Sequence, residues 1–407
     1  MPKDSAVNQT HLRWLRELTS LPTAAGREER VVAWIERWVG RHKQVQLRRD
    51  AAGNLVLQRR GRRSTRPIYF TAHLDHPAMV VTEVIDPRNV RAEFRGGVQD
   101  AYFKGSRVRL HRADGASRPG VVRELPVVPG AAGAGTERRQ MVEVAFGSAG
   151  VAMVGDLLTW DLPAASVRGG VRGIRGIRGD IRGDIRGRGD RFTAPACDDL
   201  AGVAAALAAF EILLRDKISG KNPGDIRLLF TRAEEIGFIG ALAACKLGTL
   251  PKGARIIALE TSKSFADSPL GAGPIVRVGD RTSSFDPALT WRCSRIAERE
   301  ALTDKSFRWQ RKLMPGGTCE ATAYQCYGHT ATCLCLPLGN YHNMNEATGR
   351  IAGEVISLRD FTGLAQLLVA IGRQLDDTQA LPGLRQRLDG VYARGKHMLC
   401  ERGGILF

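Results

Sequence analysis

The stretch that most constrains the fold is Ile226-Arg-Leu-Leu-Phe-Thr-Arg-Ala-Glu-Glu-Ile-Gly-Phe-Ile-Gly240. Its first five residues make an apolar run of strand length, and two adjacent acids, Glu234 and Glu235, follow at once. The small residues and glycines beyond them predict a turn opening a helix that runs to about Lys246. Two carboxylates side by side at the end of a buried strand repel each other near low dielectric. That placement costs free energy unless positive charge lies between them. A metal ion supplies such a charge, with one acid as ligand and the other free to handle the proton of a water. The competing expectation is that both acids simply favour the positive N-terminal end of the helix.

The same alternation recurs along the chain. Residues 8–20 and 27–41 predict amphipathic helices, the second with Trp34, Ile35 and Trp38 on its apolar face. Strands follow after Asp50-Ala-Ala-Gly-Asn, at Ile68-Tyr-Phe-Thr-Ala-His, and over 226–230, 255–259 and 332–338. Helices are predicted over 200–214, where the preceding aspartates cap, over 238–246, near 285–300, and over 357–375, where Ser357 is the N-cap and Asp360 sits in the first turn. This pattern predicts an α/β fold, a mixed sheet sandwiched by helices. Between residues 77 and 165 short β-like runs alternate with Gly, Pro and charged turns: 79–85, 90–94, 107–110, 120–125, 141–146 and 156–160. Such spacing predicts a small inserted β-barrel domain, with 127–136 (VVPGAAGAGT) as a flexible loop. The expected division is therefore 1–76, first part of the α/β domain; 77–165, the barrel; 166–192, an Arg-Gly repeat loop; and 193–407, the rest of the α/β domain.

Composition narrows the function classes. A chain of 407 residues can build two domains, and no run approaches the ~20 apolar residues of a membrane helix. The N-terminus has no apolar core of secretory type, and the eight cysteines are scattered without a CxxC pair. Both features point to a cytoplasmic protein with reduced thiols. A formal charge of +18 raises nucleic acid as a partner. The Arg-Gly patch, Arg168 to Arg191, carries eight arginines against three aspartates, but most of the positive charge lies elsewhere along the chain. No zinc-finger spacing or aromatic RNA-binding signature accompanies it, so nucleic acid is not the expected partner.

Polar clusters gather where buried strands give way to loops: His73-Leu-Asp75, Asp198-Asp199, Glu234-Glu235, Glu260 and His342. In α/β sheets, ligands collect beyond the carboxyl ends of strands. Histidines and carboxylates there suit zinc, cobalt or manganese. Two metals need a shared anionic ligand plus roughly two more protein ligands each. Asp198 as bridge with His73, Glu260, Glu235 and His342 supplies that set, and Glu234 is left as base. Asp75, on the same side of an extended chain as His73, is placed to orient its imidazole.

The order HxD, Asp-Asp-x-Ala-Gly, Glu-Glu-x-Gly-x-x-Gly-Ala, acid after strand, and late His resembles the dinuclear metallo-aminopeptidases of the tetrahedral, glutamyl and deblocking type. The likeness extends to Asp50-x-x-Gly-Asn-Leu, the long β insert before Asp198, Gly271-Ala-Gly-Pro-Ile-Val-Arg-Val-Gly-Asp-Arg, Pro315-Gly-Gly-Thr and the closing helix. The resemblance implies a zinc-exopeptidase-like fold, with His73 and Glu260 on one of two divalent metals, Glu235 and His342 on the other, and Asp198 bridging. It implies Glu234 as general base toward a water shared by the metals, Asp75 orienting His73, a peptide substrate cut at its N-terminus, and assembly into homo-oligomers, up to dodecamers.

The chain departs from that pattern at three places. Asp75-His-Pro-Ala stands where the family has Asp-Glu-Ile-Gly, so His76 crowds the site. Glu260 replaces an Asp, which in related exopeptidases accompanies carboxypeptidase or N-acyl-amino-acid deacylase specificity. Cys319-Glu-Ala follows Gly-Gly-Thr where the family favours Asp-Ala. The alternatives to an aminopeptidase are therefore a carboxypeptidase or deacylase on the same site, or a basic nucleic-acid-binding protein on an inactive peptidase scaffold.

Overall fold

Four apolar segments lie side by side and parallel at the centre of an eight-stranded sheet: Ile226–Thr231, Ile68–His73, Arg255–Lys263 and Thr330–Leu338. The structure is a computed structural model and describes residues 7–61, 64–125, 140–168, 190–216, 224–377 and 381–399. The loop over 127–136 and all but the ends of the Arg-Gly stretch lie outside the described residues. Leu55–Arg59 and Val45–Arg49 extend the sheet antiparallel on one side. On the other side, Ile275–Gly279 runs antiparallel to Thr330–Leu338, and Gln310–Leu313 forms the edge.

Parallel strands buried on both faces must send successive side chains into two separate cores. Ile68, Phe70 and Ala72 join a core with Leu228, Phe230, Ile257 and Leu259. The intervening Tyr69 joins a second core with Leu229, Ile256 and Ala258. Each fully buried Phe contributes roughly 1.5–3 kcal/mol by leaving water. Helices Gln9–Leu18, Leu200–Asp216, Pro287–Thr303 and Leu358–Gln374 cover the first face; Ile239–Lys246 and Glu320–Cys326 cover the second. Leu200–Asp216 is apolar all round because it lies between the sheet and two other helices. Small residues permit that crowding: a Cβ on Gly372 would come within 2.6 Å of Leu213 Cδ1. Ser357 caps the last of these helices, accepting from the N–H groups of Arg359 and Asp360.

The insert is a closed antiparallel barrel of Ala78–Asp86, Asn89–Arg95, Gln140–Phe146, Ser117–Glu124, Arg107–His111 and Leu157–Trp160. Its interior is filled by Val81, Val90, Phe94, Phe103, Leu110, Val144 and Trp160 among others. A third small sheet, Ser166–Arg168, Arg191–Ala194 and Glu354–Ser357, carries the chain back from the barrel to Asp198.

Element positions follow the sequence expectation within a few residues, with two instructive differences. The strand expected over 255–259 runs on to Lys263 because it pairs along its whole length with Thr330–Leu338, so Glu260 lies within the strand, not beyond it. The aspartates before Leu200–Asp216 do not cap it through their side chains: Asp199 accepts instead from Thr261 Oγ1 at 3.0 Å. Gly202 leaves the room this needs, since a Cβ there would meet Asp199 Oδ1 at 2.3 Å.

Candidate active site

Strand register places the first half of the site. Thr231 pairs with His73, and Thr71 pairs with Ala258. Two residues further on, His73 and Glu260 reach the carboxyl edge of the sheet next to one another. Glu234 and Glu235 follow Ile226–Thr231 in a turn before the helix, through Ala233 at φ 53°. The second half arrives on loops. Asp198 comes from the small sheet, and His342 from a tight turn in which Asn340, His342 and Asn343 all adopt left-handed backbone (φ 55°, 54° and 64°).

The side chains converge in two clusters. His73 Nε2 lies 3.4 Å from Asp198 Oδ1, 3.9 Å from Glu234 Oε2 and 3.8 Å from Glu260 Oε1. His342 Nε2 lies 3.6 Å from Asp198 Oδ2 and 3.5 Å from Glu235 Oε2. Asp198 thus turns one oxygen to each imidazole. Ligand atoms of His73, Glu234 and Glu260 all fall within 4.8 Å of one another, and so do those of Asp198, Glu235 and His342. The acid-pair reading as a helix N-terminus does not describe this turn, since both carboxylates face histidines.

Hydrogen bonds outside the clusters decide which ring atoms face inward. His73 Nδ1 donates to the Asp75 carbonyl at 3.1 Å, and His342 Nδ1 donates to the Gly97 carbonyl at 2.6 Å. When these rings are neutral, as metal ligands must be, each Nε2 presents its lone pair toward the carboxylate oxygens. Asp198 Oδ1 and Glu235 Oε1, both buried, accept no hydrogen bond. Acceptors facing acceptors with no donor between them is a costly arrangement in low dielectric. At 3.4–3.9 Å the contacts are too long for good hydrogen bonds. They approach the roughly 3–3.5 Å that separates two ligands held about 2.1 Å from one cation. The donor set and its spacing fit two divalent cations of the zinc, cobalt or manganese kind.

Without cations the acids are forced toward protonation. Burial, reinforced by neighbouring acids, pushes Glu234 and Glu260 well above the usual carboxylate range. Burial also raises Glu235 to about 7. Burial opposes charging of His342, yet Glu235 and Asp198 outweigh it and hold the ring at about 9. His73 is likewise held well above its ordinary value, burial being outweighed by Glu234, Asp198 and Asp75. Asp198 stays below its usual range in spite of burial because the His342 and His73 rings beside it favour its charged form.

Several residues that shape the site were not legible beforehand. The Asp75 carboxylate does more than face His73 Nδ1 at 3.6 Å: it accepts from the backbone N–H groups of both Glu234 and Glu235, each at 3.0 Å. Buried Glu354 accepts from Cys197 N (2.8 Å) and Asp198 N (2.9 Å) on one oxygen and from His342 N (2.9 Å) on the other. Glu28, also buried, accepts from Ala233 N and pairs with Arg232, fixing the start of the acid turn. Behind Glu260, the buried Arg277 guanidinium lies 3.9 Å away and donates to Ser262 Oγ and the Gly317 carbonyl. Cys319 is fully buried, and burial is outweighed there by bonding to Cys333 and by the Arg277 charge, which lower its thiol. The only sequence signal for such partners is an acid in an otherwise apolar setting, as Glu354 is beside Val355 and Ile356.

The fold recurs among solved proteins. No curated protein sequence matches the chain. Among solved structures, the aminopeptidase from the archaeon Desulfurococcus kamchatkensis is 23% identical, with a TM-score of 0.68 over 90% of this chain and 95% of that one. The TET1 peptidase of Pyrococcus horikoshii is 21% identical, with a TM-score of 0.67 over 89% and 99%. An endoglucanase from Thermotoga maritima is 19% identical, with a TM-score of 0.59 over 88% and 96%. Likeness at this level carries the fold and not the activity. The sequence model of the M42 glutamyl aminopeptidases, however, matches residues 53–145 and 184–354, which hold every residue of both clusters. The chain belongs to the M42 glutamyl aminopeptidase family and is a metallo-aminopeptidase.

Proposed function

We propose that the chain is a dinuclear exopeptidase that removes N-terminal residues from peptides, with Glu234 as general base. The observation that carries this reading is Asp198, whose two oxygens face His73 and His342 separately while one of them accepts no hydrogen bond. His73 and Glu260 would hold one divalent ion, Glu235 and His342 the other, and Asp198 both. When bound, the ions would polarise the scissile carbonyl and make a water acidic enough to attack it near neutral pH.

The protein's own groups do the rest. Glu234 belongs to the first cluster, 3.9 Å from His73 Nε2; with Asp198 shared by both ions, its carboxylate would be left to take a proton from the attacking water and return it to the leaving amine. Asp75 holds the backbone of Glu234 and Glu235 together, so base and ligand keep a fixed spacing. Burial of the cluster excludes bulk water and strengthens each electrostatic contact.

The same reading takes residues 77–165 as an inserted domain and the chain as a cytoplasmic homo-oligomer. Solved relatives include a TET1 peptidase that can assemble into a tetrahedron or a large octahedral shell. Exposed Val84, Ile85, Val151, Met153 and Val154 on the barrel suit burial against another copy. Free cysteines among the described residues suit a reducing compartment.

The decisive experiment is Glu234→Gln. It should keep about two metal ions per chain by elemental analysis while kcat on aminoacyl anilides falls about 10²–10⁴-fold. Turnover within a few-fold of wild type would remove Glu234 from the role of base.

A further inference from the structure

Leu381–Gly395 is a helix that stands out in solvent: residues 385–389 and 391–394 are all exposed. It lies beyond the segments matched by the family model, which end at residue 354. Gly383, Gly390 and Gly395 weaken it, and a helix this short is marginal in water without a surface to cover it. Its apolar residues nonetheless fall on one side. Leu384, Leu388, Val391 and Tyr392 follow the spacing i, i+4, i+7, i+8, which makes an arc about 100° wide. The short 3₁₀ turn Lys396–Met398 carries the same side on to Met398, three residues after Gly395. Leu388 is 55% exposed, Val391 54%, Tyr392 64% and Met398 78%, so the arc faces water along its length.

Charge decides what covers this arc. Arg387 and Arg394 border it on one side, Arg385 and Lys396 on the other. Asp389 is the one acid between Leu384 and Met398; it lies outside the arc, 4.0 Å from the Arg385 guanidinium. A second copy laid along the arc would set cationic borders against cationic borders. Nucleic acid would meet the cations but leave the apolar side chains in water. An anionic bilayer surface meets both, because the arc can sink among the acyl chains while the arginines and the lysine reach phosphates at headgroup level. We propose that Leu384–Met398 is an interfacial anchor that lays this enzyme on anionic phospholipid membranes. The net charge of +18 draws the whole chain toward such a surface, and the arc supplies the part of the binding that salt does not screen. Among the described residues no helix is long and apolar enough to cross a bilayer, so the anchor lies in the surface. This inference is independent of the metal chemistry above.

The test is co-sedimentation of the full chain with vesicles of phosphatidylcholine, alone or mixed with phosphatidylglycerol, at about 0.15 M salt and again at about 0.5 M. Wild type should pellet with the anionic vesicles and not with the neutral ones, and should keep a measurable share of that binding at the higher salt. The triple variant Leu388→Gln, Val391→Gln, Met398→Gln leaves the net charge as it is and should weaken binding at least about ten-fold at either salt. The double variant Arg387→Gln, Arg394→Gln should weaken it about 30-fold at the lower salt and much less at the higher. Both variants should hydrolyse aminoacyl anilides at the wild-type rate, which shows that they fold. Wild type that ignores anionic vesicles overturns the anchor and leaves an acidic protein as what covers the arc. A triple variant that binds as tightly as wild type also overturns it, since general basicity would then suffice. A change in the sedimentation velocity of the triple variant without vesicles assigns the arc to another copy of the chain, and overturns the anchor as well.

Discussion

The two clusters of histidines and carboxylates rest on different supports. His73 and Glu260 ride on adjacent parallel strands whose register is fixed by backbone ladders and by two apolar cores. Asp198 and His342 ride on loops, one ending a small three-stranded sheet and one bent through left-handed backbone. The sheet half is placed by what the fold must do in any case to bury its strands. The loop half is placed by single polar side chains, Glu354, His76 and Asn343, each bonded to backbone of a distant segment. Precision of position costs little when it comes with the core and must be built separately when it does not.

Three experiments break or sharpen that contrast. The largest effect is expected for Asp198→Ala, which removes the residue common to both halves. Loss of several kcal/mol of transition-state stabilisation corresponds to roughly 10³-fold or more in kcat, with metal content falling at both sites. Retention of two ions would show that the halves do not share Asp198. A smaller and one-sided effect is expected for Glu354→Gln. The amide keeps one accepting oxygen and can serve only one of the two loops. Cobalt affinity should fall about ten-fold at the loop half and stay near wild type at the sheet half.

The smallest effect is in pH. Glu235 and Glu354 are raised by burial to about 7 and about 8 from 4.5. A raised acid favours the folded state while protonated, so this contribution is whole below about pH 4.5 and is lost as pH climbs through both values. His342, held at about 9 against 6.5 despite burial, contributes fully below its unfolded value and loses that contribution through about pH 9. The Tm of stripped protein should therefore decline between about pH 5 and pH 9. Bound cations favour the deprotonated ligands, so the Tm gain on adding metal should widen over the same range. Parallel melting curves with and without chelator measure it, and a constant gap would contradict the charge balance described above.

What could be read beforehand follows the same divide. The central strands, most of the covering helices and all six barrel strands announce themselves through runs and alternation of apolar residues, because burial imposes that pattern. The edge strands Val45–Arg49 and Gln310–Leu313 do not, since they face solvent and carry Arg, Gln and Lys. The short helix Glu320–Cys326 is too brief for a period to show. Among the site residues, those at the ends of apolar runs were conspicuous as charges in the wrong company. Glu354, Glu28 and Asn343 were not, because their partners are backbone amides and carbonyls of residues far away in sequence, and nothing in a local window records such bonds. Asp75 stands two residues from its histidine in sequence, whereas its carboxylate accepts from both backbone N–H groups of the acid turn.

The hydrogen bond from His342 to the Gly97 carbonyl bears on how this enzyme could be trimmed. Gly97 belongs to the insert, between its second strand and the short turn of Asp100–Tyr102. Splicing the chain from Pro77 to Ala165 would therefore delete more than an appendage. It would remove the acceptor that fixes which ring nitrogen His342 turns toward Asp198 and Glu235.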